Sequence, residues 1–243
     1  ERRCIGTAAF ARLRPGQAAP AHPGAVTRWR WCGWLLLAVA ACTTRIRPAP
    51  PIPITEPSSI AELAAAIDMD AKHSDHEPDS KIRVALAADA RRDADACLAR
   101  EPQAAACLYG RAIALGLEAR VHPVRAGALL NGMLDALAQA ESADPNYDEA
   151  GPARVRALVL MRAPGWPLGP GDTEAGLVAA RRAVTLRPDY PPNLLALAEA
   201  SAKTGDARAA RDNYARARDA ALASGAADRD DWLREADQGL KRP

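Results

Sequence analysis

The chain has 243 residues, a formal net charge of +2 and 26% charged residues. Its basic residues are interspersed with acids and form no patch, so composition makes no case for a nucleic-acid partner. Hydrophobic residues reach 49% but aromatic ones only 4%, which leaves Ala, Leu and Val to build a core of closely packed helices.

Residues 1–25 are rich in Arg, Ala and Pro and show no apolar period. They read as an unstructured leader, or as a stretch upstream of the true start, because Val26 can serve as a decoded first codon. From Val26 the chain has the anatomy of a signal peptide. Arg28 and Arg30 supply the positive region, and residues 34–41 form an apolar run too short to span a bilayer. Val39-Ala40-Ala41-Cys42 resembles a bacterial lipobox. That resemblance implies that Cys42 is lipidated and becomes the mature N-terminus, so that 1–42 is leader and lipoprotein signal peptide. The alternatives are an ordinary secretory peptide or a chance Ala-Cys pair in an Ala-rich chain. Thr43, where an Asp would favour inner-membrane retention, predicts a periplasmic protein anchored to the outer membrane. Residues 43–57 carry Pro48, Pro50, Pro51, Pro53 and Pro57, a pattern for extended polyproline II and a semi-rigid linker.

The helical domain is predicted over 58–243. Ser58 and Ser59 offer an N-cap for a helix that runs to about residue 70. Residues 70–80 are acidic and contain His73 and His76. A divalent metal is one reading, but no helical register aims both imidazoles together, so a solvated loop is expected and no metal. Cys97 and Cys107 flank Pro102 symmetrically. A turn there sets them face to face, either as a disulfide in an oxidising compartment or as two buried thiols.

Helices follow over 104–117 and 126–141, separated by a long joint. The next helix is strongly apolar from Val155 to Met161 yet carries Arg154, Arg156 and Arg162, and it stops at Pro164. The Pro- and Gly-rich turn after it holds Trp166, which either stacks on a ligand or partner or folds back over the hairpin end. Further on, Leu194, Leu197, Ala198 and Ser201 share one helical face, and Ala210, Tyr214 and Ala217 share another. Pro191 and Pro192 mark a helix start and Gly205 a stop. Asp228 to Asp231 begin a last helix with Trp232, Leu233, Ala236 and Leu240 in a stripe.

This last hairpin resembles a tetratricopeptide repeat (TPR), with Leu197 and Ala198 at its small-residue pair and Leu194 where the consensus has Trp. Pro102, Pro145 and Pro188 recur at intervals of 43 residues, longer than the ~34 of a plain repeat. The extra residues fall in the two long joints. The expected fold is all-α, a right-handed α-solenoid of TPR-like helix-turn-helix repeats, two of them lengthened, closed by a capping helix. No Gly-x-Ser-x-Gly, phosphate-binding loop, dinucleotide fingerprint or His-Glu-x-x-His is present, and His22 and His122 are isolated beside prolines. Neither an enzyme nor a cofactor is predicted.

Residues 150–205 also resemble the T components of TRAP transporters, periplasmic lipoproteins that associate with a solute-binding protein. The likeness lies in Gly151-Pro152, Ala163-Pro164-Gly165-Trp166-Pro167, Gly171-Asp172, Pro188-Asp189-Tyr190-Pro191-Pro192-Asn193 and Leu197-Ala198-Glu199. It implies a homo-trimer with a cavity in each protomer and a role in handing on a small apolar or organic-acid ligand. The alternative is a general scaffold lipoprotein for envelope protein assembly, with a protein partner and no small ligand. First helices of such repeats line the concave face. Arg154, Arg156, Asn193 and Glu199 are therefore expected to contact a ligand or partner there, with Trp166 at the mouth. Unpaired burial being costly, Arg156 and Glu199 are expected to pair with each other when the groove is empty.

Overall fold

Helix starts follow the caps. In the computed structural model, which describes residues 59–241, α1 (Ile60–His76) opens with a reciprocal capping box between Ser59 and Glu62. Asp79 caps α2 (Ser80–Arg100). Next come α3 (Ala105–Val121), a 3-10 turn at Pro123–Arg125, and α4 (Ala126–Ala143). The chain continues through α5 (Tyr147–Arg162) and α6 (Thr173–Leu186), the latter capped by Asp172. Pro191 supplies the first residue of α7 (Pro191–Lys203), where its missing N–H costs nothing. Gly205 turns the chain at φ +85, Asp206 caps α8 (Ala207–Ala223), and α9 (Arg229–Leu240) is the last helix described. The lipobox and Cys42 lie outside the described residues, as do the leader and the proline-rich linker.

Consecutive helices pack as hairpins. The odd-numbered helices also touch one another, α1 on α3, α3 on α5, α5 on α7 and α7 on α9, whereas the even ones touch only their neighbours in sequence. The odd helices therefore form an inner row and the even helices an outer one, the layering expected of a helical-repeat solenoid. Small residues make the close approach: Ala90, Ala94, Ala112, Ala114 and Ala140 are fully buried. At the α1–α3 crossing a Cβ on Gly110 would stand 2.8 Å from Ile67 Cδ1. Cys97, in the last turn of α2, is bonded through sulfur to Cys107 in the first turn of α3, and neither is exposed.

Two local expectations need correction. Residues 70–76 are helix, not loop. Ser74 is buried on the stripe that includes Ile67, so the apolar period continues past the acidic residues, and the stop comes just before Pro78. His73 Nε2 lies 3.4 Å from Glu77 Oε2. The start of α5 is not regular helix either. Asp148, Glu149 and Ala150 have φ of 48, 53 and 64, a left-handed turn of non-glycine residues before Gly151-Pro152. Each such residue costs about 1–2 kcal/mol, so the surroundings must hold the turn in place.

Candidate functional site

The middle of the inner row is α5. Val155, Leu158 and Val159 are half-buried on it, and they floor a cleft of about 480 Å³ with Ile113 of α3 and Leu130 and Met133 of α4. Asp75, Arg120 and Arg162 stand at its rim. Asp75 and Arg162 also line an adjoining cleft of about 670 Å³, whose other walls include Glu199 of α7 and Asp231, Arg234 and Glu235 of α9. The groove thus runs from an apolar half to an ionic half along the inner row.

Its charges come in pairs. Arg162 Nη2 donates to Glu199 Oε2 at 2.6 Å, and Arg162 Nε shares its proton between both oxygens at 3.1 Å. These hydrogen bonds to Glu199 push the Arg162 guanidinium further above its ordinary value, against a smaller opposing effect of burial. Arg120 Nη2 lies 2.6 Å from Asp75 Oδ1, and Arg234 pairs with Asp231. Across the groove Lys72 of α1 reaches Asp228, beside α9, at 3.5 Å. A ligand entering the ionic half must replace one of these partners, while the apolar floor asks only for displacement of water.

Arg154 and Asn193 do not belong to this surface. Arg154 is 8% exposed and Asn193 not at all. Arg154 Nη1 donates to the carbonyls of Asp148 and Glu149, both at 3.2 Å, and to Asn193 Oδ1 at 3.1 Å. Its Nη2 donates to Asp148 Oδ2 at 2.7 Å, and its guanidinium lies over the Tyr190 ring. Asn193 Nδ2 donates to the carbonyls of Glu149, Ala183 and Arg187 at 3.0–3.3 Å. Tyr109 on α3 gives its hydroxyl proton to Asp148, and burial raises its phenol well above the ordinary value. This knot holds the left-handed turn and ties α3, α5, α6 and α7 together. It is structural, not a groove contact.

Arg156 and Glu199 are not partners. Arg156 Nη1 donates to Glu141 Oε2 at 3.1 Å, at the end of α4, and Arg182 of α6 approaches the same carboxylate. Six residues separate Arg156 from Arg162, which turns them to different sides of α5. Arg156 faces the outer row and Arg162 takes Glu199. Of the five residues predicted to bind, Glu199 lines the groove, and Arg162 beside it was missed. Trp166 does not fold back over the hairpin: it is 90% exposed.

Among solved structures the chain is similar to a thermophilic TPR protein of Thermus thermophilus. The TM-score is 0.52 at 21% identity, over 74% of this chain and 92% of that one. The fold is a TPR-like α-solenoid. At that identity the likeness carries the fold alone. No protein-family model matches the sequence, and no curated protein matches it either.

Proposed function

We propose that this chain is a non-enzymatic TPR scaffold, held in the periplasm by a lipid anchor on Cys42 at the outer membrane, and that its inner-row groove binds a segment of a protein partner. The observation that carries this reading is the half-buried floor of Val155, Leu158 and Val159, apolar side chains on an inner helix that line an open cleft. A partner segment that covers them gains about 25 cal/mol for each Å² of apolar surface removed from water. The test is Leu158→Asp, which puts a charge in the floor. Capture of the partner from the native envelope should be lost by the folded variant, whose melting temperature falls because Leu158 also packs against the core between α5 and α7. Undiminished capture by the folded variant removes the groove from consideration.

A finer reading is the T component that works with a TRAP solute-binding protein. Its support is the resemblance of residues 150–205, including the Ala163-to-Asp172 loop and the Pro188-to-Asn193 junction. Native mass measurement of the captured complex tests it: a trimer carrying a solute-binding protein is expected, and a monomer with an unrelated partner leaves the general envelope scaffold. Anchoring is tested separately by Cys42→Ser, which should stop incorporation of lipid label.

A further inference from the structure

The two long joints of the repeat meet at one end of the solenoid. There α3 turns into α4 through residues 122–125, and α5 turns into α6 through residues 163–172. The Leu168 carbonyl oxygen lies 3.1 Å from where a Cβ on Gly127 would stand, so the second joint rests on the first turn of α4. Its backbone is tied down. Leu168 N and Gly169 N donate to Gly165 O, Gly171 N donates to Pro164 O, and Asp172 N donates to Leu160 O, at 2.9–3.2 Å.

This fixed corner turns large apolar side chains outward. Val124 is 99% exposed, Trp166 90% and Leu168 77%. Of the other large apolar side chains exposed among the described residues, Met69, Val178 and Leu222 sit on separate helices, and Ile82 and Val84 share α2 but, two residues apart, point to different sides of it. Singly exposed residues of that kind are ordinary, whereas a cluster on one rigid corner marks a contact surface.

The chemistry of the corner selects a lipid surface over a protein one. Residues 163–171 hold no charged residue, and residues 122–134 hold Arg125 and His122 but no acid. Asp172, next in sequence, has its carboxylate turned to cap α6, where it accepts from Ala175 N at 3.0 Å. Pro164, Pro167 and Pro170 carry no N–H, so fewer donors need desolvation. Trp suits the level of the lipid carbonyls, aliphatic tips reach deeper, and Arg pairs with headgroup phosphates. We infer that this corner inserts Trp166, Leu168 and Val124 into the interface of an anionic bilayer, with Arg125 against its phosphates. The surface sets the orientation of the solenoid on the membrane. It goes beyond the partner-binding groove and does not depend on acylation of Cys42.

The test uses the full chain with Cys42→Ser, so that no acyl chain contributes, and vesicles of phosphatidylcholine with or without phosphatidylglycerol. The apolar run at 34–41 is common to every variant and drops out of the comparison. Trp166→Ser/Leu168→Ser should bind the phosphatidylglycerol vesicles about tenfold more weakly or worse, with unchanged helicity. Arg125→Gln should lose the preference for anionic over neutral vesicles. Trp166 emission, taken as the difference between this chain and its Trp166→Phe variant, should be quenched by brominated lipid. Equal vesicle binding by the double variant overturns the inference, as does a Trp166 signal that brominated lipid leaves untouched. Shielding of Trp166 by a soluble envelope protein while vesicles leave it exposed overturns it too, and makes the corner a protein contact instead.

Discussion

Asn193→Ala tests whether the buried knot holds the middle of the solenoid together. The side chain is fully buried, accepts from the Arg154 guanidinium and donates to three carbonyls. Two of those carbonyls keep other donors: Ala183 O retains Arg187 N, and Glu149 O retains Arg154 Nη1. Arg187 O loses its side-chain donor. The loss is then one hydrogen bond to a charged group, about 1.5–3 kcal/mol, and one part-buried acceptor left without its side-chain donor, about 1–2 kcal/mol. Together these predict about 4 kcal/mol, or a fall of roughly 10 °C in melting temperature for a domain of this length. Asn193→Asp should recover little, since it keeps the acceptor for Arg154 but sets a carboxylate against the carbonyls. Chemical denaturation of Asn193→Ala, Arg154→Met and the double variant gives the coupling between the two side chains, expected to exceed about 1 kcal/mol. Hydrogen exchange over residues 147–162 should rise in Asn193→Ala. A variant within about 1 kcal/mol of the parent, with protection there intact, refutes the reasoning.

Cys97→Ala/Cys107→Ala should lower stability by about 3 kcal/mol, the chain-entropy value for so short a loop; denaturation with and without reductant checks it, and non-reducing peptide maps with both thiols free would contradict the bond. Gly239→Ala should loosen α9, because a Cβ there meets the Tyr214 ring. Exchange in α9 should rise, and more than α1–α3 exchange rises in Gly110→Ala, where the new Cβ meets only the flexible end of Ile67. Asp70 is held above its ordinary carboxylate value, first by burial and then by Asp89 and Asp93. Folding therefore favours its protonated form, and stability is lost as pH rises through the carboxylate range. Asp70→Asn should raise the melting temperature at pH 7 and leave it unchanged at pH 3; a loss at pH 7 would contradict that sign.

The hairpins were legible because their signals are local. Pro191, Gly205 and Ser59 act on the backbone within about one helical turn of where they stand. The knot was less legible because its causes are tertiary. Read as surface cations, Arg154 and Arg156 look alike. Yet Arg154 stands three and seven residues before Ala157 and Met161, both buried, and so lies on the apolar stripe of α5. That register was the available sign that it turns inward. The left-handed turn at 148–150 had no comparable sign, since none of its three residues is glycine. Its carbonyls are held by Arg154 and Asn193, the latter 44 residues from Glu149. Acidic composition misled at residues 70–76, where burial of Ser74 outweighs it.

The distribution of strength across the molecule bears on how the groove works. The walls on its α3, α5 and α7 side are tied by a hydrogen-bonded knot centred on buried Arg154 and Asn193 and by close packing, so they present the apolar floor with little freedom. The contact across the groove is of another kind. Lys72 and Asp228 are each at least half exposed, and Lys72 is shared with Asp68. Exposed pairs of this sort contribute about 0–1 kcal/mol each and weaken with salt. The α1 and α9 walls can therefore part at small cost while the floor stays fixed. Arg162 divides the two halves of the groove, and its bidentate hold on Glu199 is the strongest of the ionic contacts there. A partner gains first by covering Val155, Leu158 and Val159, which requires no ion pair to break. Discrimination among apolar partners then falls to whatever each one offers Arg162 and Glu199, because a segment that buries that pair without matching its hydrogen bonds leaves both charges short of solvent.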